Sequence, residues 1–292
     1  MSLRVYYRSE MVAEAGGRYS PSAAKPRQVM ADWQAAGLDL DVKKPWPVSV
    51  VDLCKAHDSD YVHGVLDGTR PNGFGDTGED VRKALPFTVG AMVCATKHAL
   101  KTGENAAALC SGFHHAHHNQ GYGFCTFNGL IVAAQSTHAA GASKVGILDL
   151  DNHYGDGTNQ IIKELGLTWI SHFTAGATFT TASVAEAFLK ALPGIIKRKF
   201  YDAAVLIYQA GADPFIEDPL GGWLTLDQLR ERDRIVFETC ASMRLPVAWN
   251  LAGGYTREKD GSIPKVLAIH RATAEECLSA SEARVTRRKS AS

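Results

Sequence analysis

The chain has 292 residues, 45% of them hydrophobic, and its 31 basic side chains balance its 31 acidic ones. This composition allows one large buried core, and a net charge of zero gives no attraction to nucleic acid or to an anionic membrane surface. Six cysteines without a CxxC pair argue against a zinc knuckle and against a secreted disulfide framework. Because no apolar run reaches roughly 18 residues and no signal-peptide core is present, we expect a cytoplasmic protein without a membrane or nucleic-acid partner.

Short apolar runs recur along the chain and are separated by segments with helical periodicity. The runs predict strands at 3–7, 106–110, 145–150, 168–171, 203–208 and 246–251, and the helical segments lie at 87–100, 128–140, 184–197 and 226–243. Such strands are typical of a parallel sheet covered on both faces. We therefore predict an α/β fold: a single three-layer α/β/α domain with a mostly parallel central sheet, spanning residues 1–280 and followed by a flexible basic tail at 281–292.

A long segment from about residue 67 to residue 86 is rich in Gly, Asn and Asp and is predicted to be a surface loop. In open α/β sheets, ligands bind at the carboxyl ends of the strands. Polar residues that directly follow a predicted strand are therefore the first candidates for chemistry.

Polar side chains follow two of the predicted strands at once. Asp149, Asp151 and His153 alternate at the end of the third strand, so their side chains fall on one side of the backbone. Asp213 follows the fifth strand. Two carboxylates, one imidazole and an open position suit a catalytic zinc, and this hard ligand set leaves Fe(II) and Co(II) open. The alternative is that the aspartates cap the next helix and that His153 is an ordinary loop histidine.

Four of the five residues at 114–118 are histidine, and two of them can carry protons. Hydrolysis by a water activated at a metal needs a base, an acid and a donor for the developing oxyanion. His114 and His115 supply two imidazoles. A carboxylate behind an imidazole sets its tautomer and basicity, and Asp149 and Asp156 are the candidates for that position.

A Gly-Gly-Tyr turn follows the last predicted strand, where the phenol of Tyr255 can donate a hydrogen bond to a substrate carbonyl. Taken in order along the chain, the motifs resemble those of the histone deacetylase superfamily, which has the arginase/deacetylase fold. The matching stretches are 22–27, 57–61, 114–116, 123–125, 149–157, 211–213, 218–219 and 253–255. The short chain and the stretch 221–234 look most like the short bacterial and class IV members.

The resemblance implies a role for each candidate residue. The implied zinc ligands are Asp151, His153 and Asp213, and the implied catalytic residues are His114, His115, Asp156 and Tyr255. In that scheme His115, backed by Asp156, is the general base, and His114 is its electrostatic or acid partner. A structural K⁺ site would comprise Asp149, Asp151, His153, Ser171 and His172, and the substrate channel would be lined by Gly123, Phe124 and Leu220. His117 and His118 lie where the family varies and are predicted to be rim residues.

Sequence differences from related branches of the superfamily narrow the predicted number of metal ions and the predicted substrate. The arginase branch binds a second metal with acids at the positions of Gly155 and Gly211, so one metal is expected here. Polyamine-selective relatives often carry an acidic gatekeeper at the position of Leu220, and leucine favours acyl-lysine or a neutral amide over a polycation. A second channel aromatic does not align cleanly, and Phe179 is the candidate.

We therefore predict a zinc-dependent amidohydrolase that releases a short carboxylic acid from an N-acyl amine such as acetyl-lysine, with the two histidines as a relay. An amidohydrolase of N-acetylpolyamines or other small amides is the alternative among enzymes. A non-catalytic module that binds acyl-lysine is the alternative outside them. Assembly into a homo-oligomer is left open.

Overall fold

Strands and helices alternate along the chain, as the spacing of the apolar runs predicts. The computed structural model describes residues 2–13 and 20–290, and the side chains of 284–290 are left aside. The strands are β1 (Leu3–Tyr6), β2 (Leu40–Lys43), β3 (Ala106–Ala108), β4 (Val145–Asp149), β5 (Ile170–Thr174), β6 (Val205–Gly211) and β7 (Val247–Ala252). The helices are α1 (Lys25–Ala35), α2 (Val50–Leu53), α3 (Ser59–Asp67), α4 (Glu79–Thr102), α5 (Gly129–His138), α6 (Asp156–Glu164), α7 (Ala185–Lys199), α8 (Leu226–Met243) and α9 (Pro264–Ser290).

The strands of the described residues form one sheet in the order β2-β1-β3-β7-β6-β4-β5, and every neighbouring pair is parallel. Side chains of β6 alternate between the two faces of this sheet. Leu206 and Tyr208 pack in the cluster that contains α1, α7, α8 and α9, whereas Val205 and Ile207 pack in the cluster that contains α4 and α5. The predicted three-layer α/β/α domain is therefore confirmed.

Two parts of the secondary structure differ from the prediction. The segment 67–86 is a loop only in its first part, because α4 begins at Glu79 and runs through Pro86. Its acidic first turn suits the positive end of a helix dipole, and the buried side chains of Val81 and Ala84 hold it in a small apolar cluster. Strand β2 is absent from the predicted strands because its residues are half-buried or exposed, so this edge strand has no apolar run.

Helix α9 carries the backbone as far as Ser290, so the predicted tail begins as a helical segment. The flexibility of residues 281–292 and the limits of the catalytic domain stay predictions. The six cysteines are free thiols. Within the described part of the chain, none of the helices is both long enough and apolar enough to span a bilayer.

Candidate metal centre and active site

Three neighbouring strands in the middle of the sheet end beside one another and carry the candidate residues. Asp149 is the last residue of β4, Asp213 lies two residues after β6, and Gly253 directly follows β7. Because parallel strands present their carboxyl ends at the same edge, these distant segments meet there.

Asp151, His153 and Asp213 form a cluster that can hold a metal ion. One ligand atom of each lies within 4.8 Å of the others, and His153 Nδ1 is 3.2 Å from Asp151 Oδ1 and 2.9 Å from Asp213 Oδ2. Burial and the charge of Asp151 raise the pKa of Asp213 to about 7, and hydrogen bonds to both carboxylates raise the pKa of His153 to about 11. Two buried carboxylates and an imidazole that converge on one point fit a divalent cation, which would neutralise their charge.

Two glycines let the strand ends approach the cluster closely. A Cβ atom on Gly211 would lie 2.5 Å from the Cα of Asp151, and one on Gly253, whose φ is 48°, would lie 2.1 Å from Asp213 Oδ1. Any other residue at either position would displace Asp151 or Asp213, two members of this cluster.

A buried arginine ties the same strand ends together. The guanidinium of Arg232, on α8, donates to the carbonyl oxygen of Gly211 at 2.7 Å and to that of Leu150 at 3.2 Å. Asp233 balances its charge at 2.9 Å. Since Gly211 ends β6 and Leu150 directly follows β4, this clamp sets the spacing between the carboxylates of Asp151 and Asp213.

The tandem histidines lie beside the cluster, and each contacts its own carboxylate. His114 Nδ1 is 2.7 Å from Asp149 Oδ2, His115 Nδ1 is 2.6 Å from Asp156 Oδ1, and the two rings lie 4.1 Å apart. Burial alone would lower the pKa of His114, but the carboxylates of Asp149 and Asp151 outweigh it and raise that pKa to about 9. Burial and the charge of His114 lower the pKa of His115. At neutral pH the pair therefore consists of one imidazolium and one neutral imidazole.

The turn that carries these histidines is held in place by another histidine, His57. The main-chain N–H of Asn128 donates to His57 Nε2 at 2.7 Å, so the proton is on Nδ1, which donates to the carbonyl oxygen of His117 at 2.9 Å. The side chain of Asn128 donates to the carbonyl oxygen of Ala116 at 3.1 Å. Burial lowers the pKa of His57 to about 4. His57 is thus a neutral link between α5 and the histidine turn.

This link should make the fold sensitive to acid. Because the pKa of His57 is about 4 in the folded state against 6.5 for an ordinary histidine, the unfolded chain takes up the proton first as the pH falls. The stabilisation that neutral His57 gives the folded state is complete above pH 6.5 and is lost toward pH 4. We expect the difference in free energy of unfolding between wild type and His57→Gln to shrink by about 2 kcal/mol from pH 7 to pH 5. Urea unfolding of both proteins measures it, and an unchanged difference would contradict the assignment.

A small cavity adjoins Asp151 of the cluster and His114 of the tandem pair. The main-chain N–H of Tyr255 donates to Asp218 Oδ2 at 2.7 Å, and its ring centroid is 5.7 Å from that of Phe124. Burial and the carboxylate of Asp213 raise the pKa of Tyr255 well above its usual range, so the phenol stays protonated and can donate a hydrogen bond. The cavity is lined by Ser22, Ser111, Gly112, His114, Gly123, Phe124, Cys125, Asp151, Gly253 and Tyr255.

A sequence model described as the histone deacetylase domain matches residues 21–179, more than half of the chain. The chain belongs to the histone deacetylase family. It is 24% identical over 247 residues to histone deacetylase 2 of Arabidopsis thaliana, which covers 74% of this chain and 64% of that protein. It is 30% identical over 171 residues to the acetylpolyamine amidohydrolase of Mycoplana ramosa, which covers 49% of each chain.

A solved structure shows the same fold. The HDA15 HD domain matches 96% of this chain and 90% of its own length, with a TM-score of 0.79 and 20% sequence identity. The resemblance read from the motifs is thereby confirmed. As a histone deacetylase family member with a metal-ligand cluster at the carboxyl edge of its sheet, the protein is a metal-dependent amidohydrolase.

Two residues predicted for the substrate channel lie on different loops. The ring of Phe179 is half-buried and packs against Phe188, with centroids 4.8 Å apart, and its place as the second channel aromatic stays a prediction. Leu220 is 49% exposed, and its N–H donates to Asp218 Oδ1 at 3.0 Å. The other oxygen of Asp218 receives the N–H of Tyr255, so one carboxylate joins the loop of Leu220 to the tyrosine.

The residues implied for a potassium site lie on β4, on the loop that follows it, and on β5. Ser171 and His172 lie on β5, the strand next to β4. His172 Nδ1 is 2.7 Å from Asn159 Oδ1, and burial lowers the pKa of His172 to about 4. Both side-chain oxygens of Asp149 already accept hydrogen bonds from protein groups. A K⁺ ion at this position stays a prediction.

Lys25 also contacts the site, although no role was predicted for it from the sequence. This lysine is fully buried at the start of α1, and its Nζ donates to the carbonyl oxygen of Gly253. Burial lowers its pKa to about 8, although the carboxylates of Asp213 and Asp151 act in the opposite direction. The sequence signal that could have pointed to Lys25 is its position inside the stretch 22–27, which resembles a motif of the family.

Proposed function

We propose that the protein is a zinc-dependent deacylase that hydrolyses the amide bond of an N-acyl amine such as acetyl-lysine. The observation that carries this proposal is the meeting of a buried carboxylate–imidazole–carboxylate cluster with two imidazoles, each of which contacts its own carboxylate. The raised pKa of His114, about 9, favours its cationic form, and the lowered pKa of His115 favours its neutral form. A base, an acid and a metal are the parts that amide hydrolysis needs.

The protein's side chains divide the proton transfers between them. Zinc held by the cluster would polarise the acyl carbonyl as a Lewis acid and acidify a water molecule. Since Nδ1 of His115 donates to Asp156, its Nε2 carries a lone pair that can accept a proton from the attacking water. His114 can stabilise negative charge as a cation, and the phenol of Tyr255 can donate to the carbonyl oxygen as that oxygen becomes negative.

Space around the cluster supports a single metal ion. A Cβ atom on Gly155 would lie 2.5 Å from Asp149 Oδ2, and one on Gly211 would lie 2.5 Å from the Cα of Asp151. The acids that the arginase branch uses for a second metal would therefore collide with the backbone or with an existing carboxylate. Fe(II) and Co(II) accept the same ligand set as zinc, so elemental analysis of the purified protein tests the metal.

The rim of the site favours a substrate without several positive charges. Leu220 occupies the exposed gatekeeper position, and the acid earlier on this loop, Glu217, is paired with Lys265. We expect kcat/KM for an acetyl-lysine peptide to exceed that for N-acetylspermidine by about 10-fold or more. Steady-state kinetics with both substrates measures this ratio, and a ratio below one would favour the polyamine.

The second candidate is an N-acetylpolyamine amidohydrolase. The aligned Mycoplana ramosa relative carries that name and is 30% identical over 171 residues. A third reading, a module that only binds acyl-lysine, predicts no turnover with added zinc. The change Tyr255→Phe separates that reading from an enzyme, since it removes only the phenol: a deacylase loses turnover, whereas a binding module changes in affinity alone.

A further inference from the structure

The carboxylate behind the general base has a second imidazole partner. His115 Nδ1 lies 2.6 Å from Asp156 Oδ1, and His117 Nε2 lies 3.0 Å from Asp156 Oδ2. One carboxylate thus joins two histidines, each on a different oxygen. No part of the proposed mechanism uses the second of them.

The protonation of this triplet follows from its setting. Asp156 is the first residue of α6, where the helix dipole favours a negative charge. Burial would raise the pKa of Asp156, but the hydrogen bonds of His115 and His117 outweigh burial and lower it. An ionised carboxylate only accepts hydrogen bonds, so both imidazoles donate to it.

The ring of His117 is aimed at Asp156 by its own backbone. Its N–H donates to the carbonyl oxygen of Gln120 at 2.9 Å, and its carbonyl oxygen accepts from His57 Nδ1 at 2.9 Å. The ring remains 31% exposed, so the contact with Asp156 is not forced by close packing. His118 differs, because its Nδ1 lies 2.9 Å from the carbonyl oxygen of Ala56 and serves the turn instead.

We propose that His117 is a positioning residue for the general base. A carboxylate held by one hydrogen bond can rotate about its Cβ–Cγ bond, whereas one held through both oxygens cannot do so without losing a partner. The Nε2–H of His117 therefore keeps Asp156 turned so that its other oxygen receives the Nδ1–H of His115. This fixes the ring that accepts the proton from water. The inference deepens the proposed function and rests on it.

Two substitutions test the hydrogen bond itself. His117→Ala removes the donor, and we expect kcat on an acetyl-lysine peptide to fall about 10- to 100-fold with KM nearly unchanged. His117→Gln keeps a donor at a similar reach and should recover most of the lost kcat. His63→Ala, which removes an exposed histidine of α3, is the matched control and should behave as wild type. Unchanged kcat in His117→Ala, or equal loss in the alanine and glutamine variants, would overturn the proposal.

A second measurement does not depend on turnover. In protein labelled with ¹⁵N-histidine, the Nδ1–H proton of His115 should give a hydrogen-bonded resonance, assigned by its loss in His115→Ala. We expect this resonance to persist in wild type and in His117→Gln and to shift or broaden in His117→Ala. If wild type hydrolyses none of the amides yet the resonance responds in this way, the proposed function fails and the positioning role stands. If the resonance is the same in His117→Ala, the positioning role is wrong whatever the activity.

Discussion

Asp213→Asn should empty the metal centre while leaving the fold intact. The amide has the same shape as the carboxylate but no charge, and the site then keeps one carboxylate and one imidazole, fewer than a catalytic zinc requires. We expect turnover to fall by roughly 10³-fold or more, because in the proposed mechanism the metal would supply both the Lewis acid and the acidified water. Zinc content after dialysis should drop from one equivalent to a small fraction, as elemental analysis would show.

Thermal unfolding gives the same substitution a second readout. Zinc binds only the folded state of a preformed site, so it should raise the Tm of wild type and leave that of Asp213→Asn unchanged. Without metal, the variant should be at least as stable as wild type, since burial and repulsion by Asp151 disfavour the Asp213 carboxylate. Glu217→Gln, an equal change of charge on an exposed side chain, is the control. Full zinc occupancy in Asp213→Asn would show that the ligand set is wrongly assigned.

Most of the candidate metal centre could be predicted because its residues come shortly after apolar strands. Asp151 and His153 come two and four residues after the end of β4, and Asp213 comes two residues after β6. Parallel strands bring such positions to one edge whatever the distance between them in sequence. Local patterns also located α8, where Thr225 and Gln228 form a capping box at its start.

Contacts between segments with no local pattern could not be predicted. The clamp of Arg232 on two strand ends and the reach of Lys25 to Gly253 depend on how α8 and α1 pack against the sheet. The second partner of Asp156 depends on the path of the turn at 114–118, which is held by His57. The partners of these side chains lie far away in sequence, so no local pattern could reveal the contacts.

His115→Ala should abolish most turnover while leaving the metal in place. Asp213→Asn, in contrast, should lose both turnover and zinc. His115 makes no contact that the metal cluster needs, since its Nδ1 faces Asp156 and its ring centroid lies 5.9 Å from that of His153. Removal of a general base costs about 10²- to 10⁴-fold in kcat, and we expect a loss in that range with zinc still bound at one equivalent.

The two variants together separate a base from a ligand. If His115→Ala also lost zinc, the histidine would belong to the metal shell, and if it kept full kcat, another group would take the proton from water. His114 is the one imidazole in the described lining of the cavity, and the carboxylates of Asp149 and Asp151 raise its pKa to about 9, which favours the cation at neutral pH. A cation has no lone pair with which to replace the missing base. The loss in His115→Ala should therefore persist at neutral pH even with His114 intact.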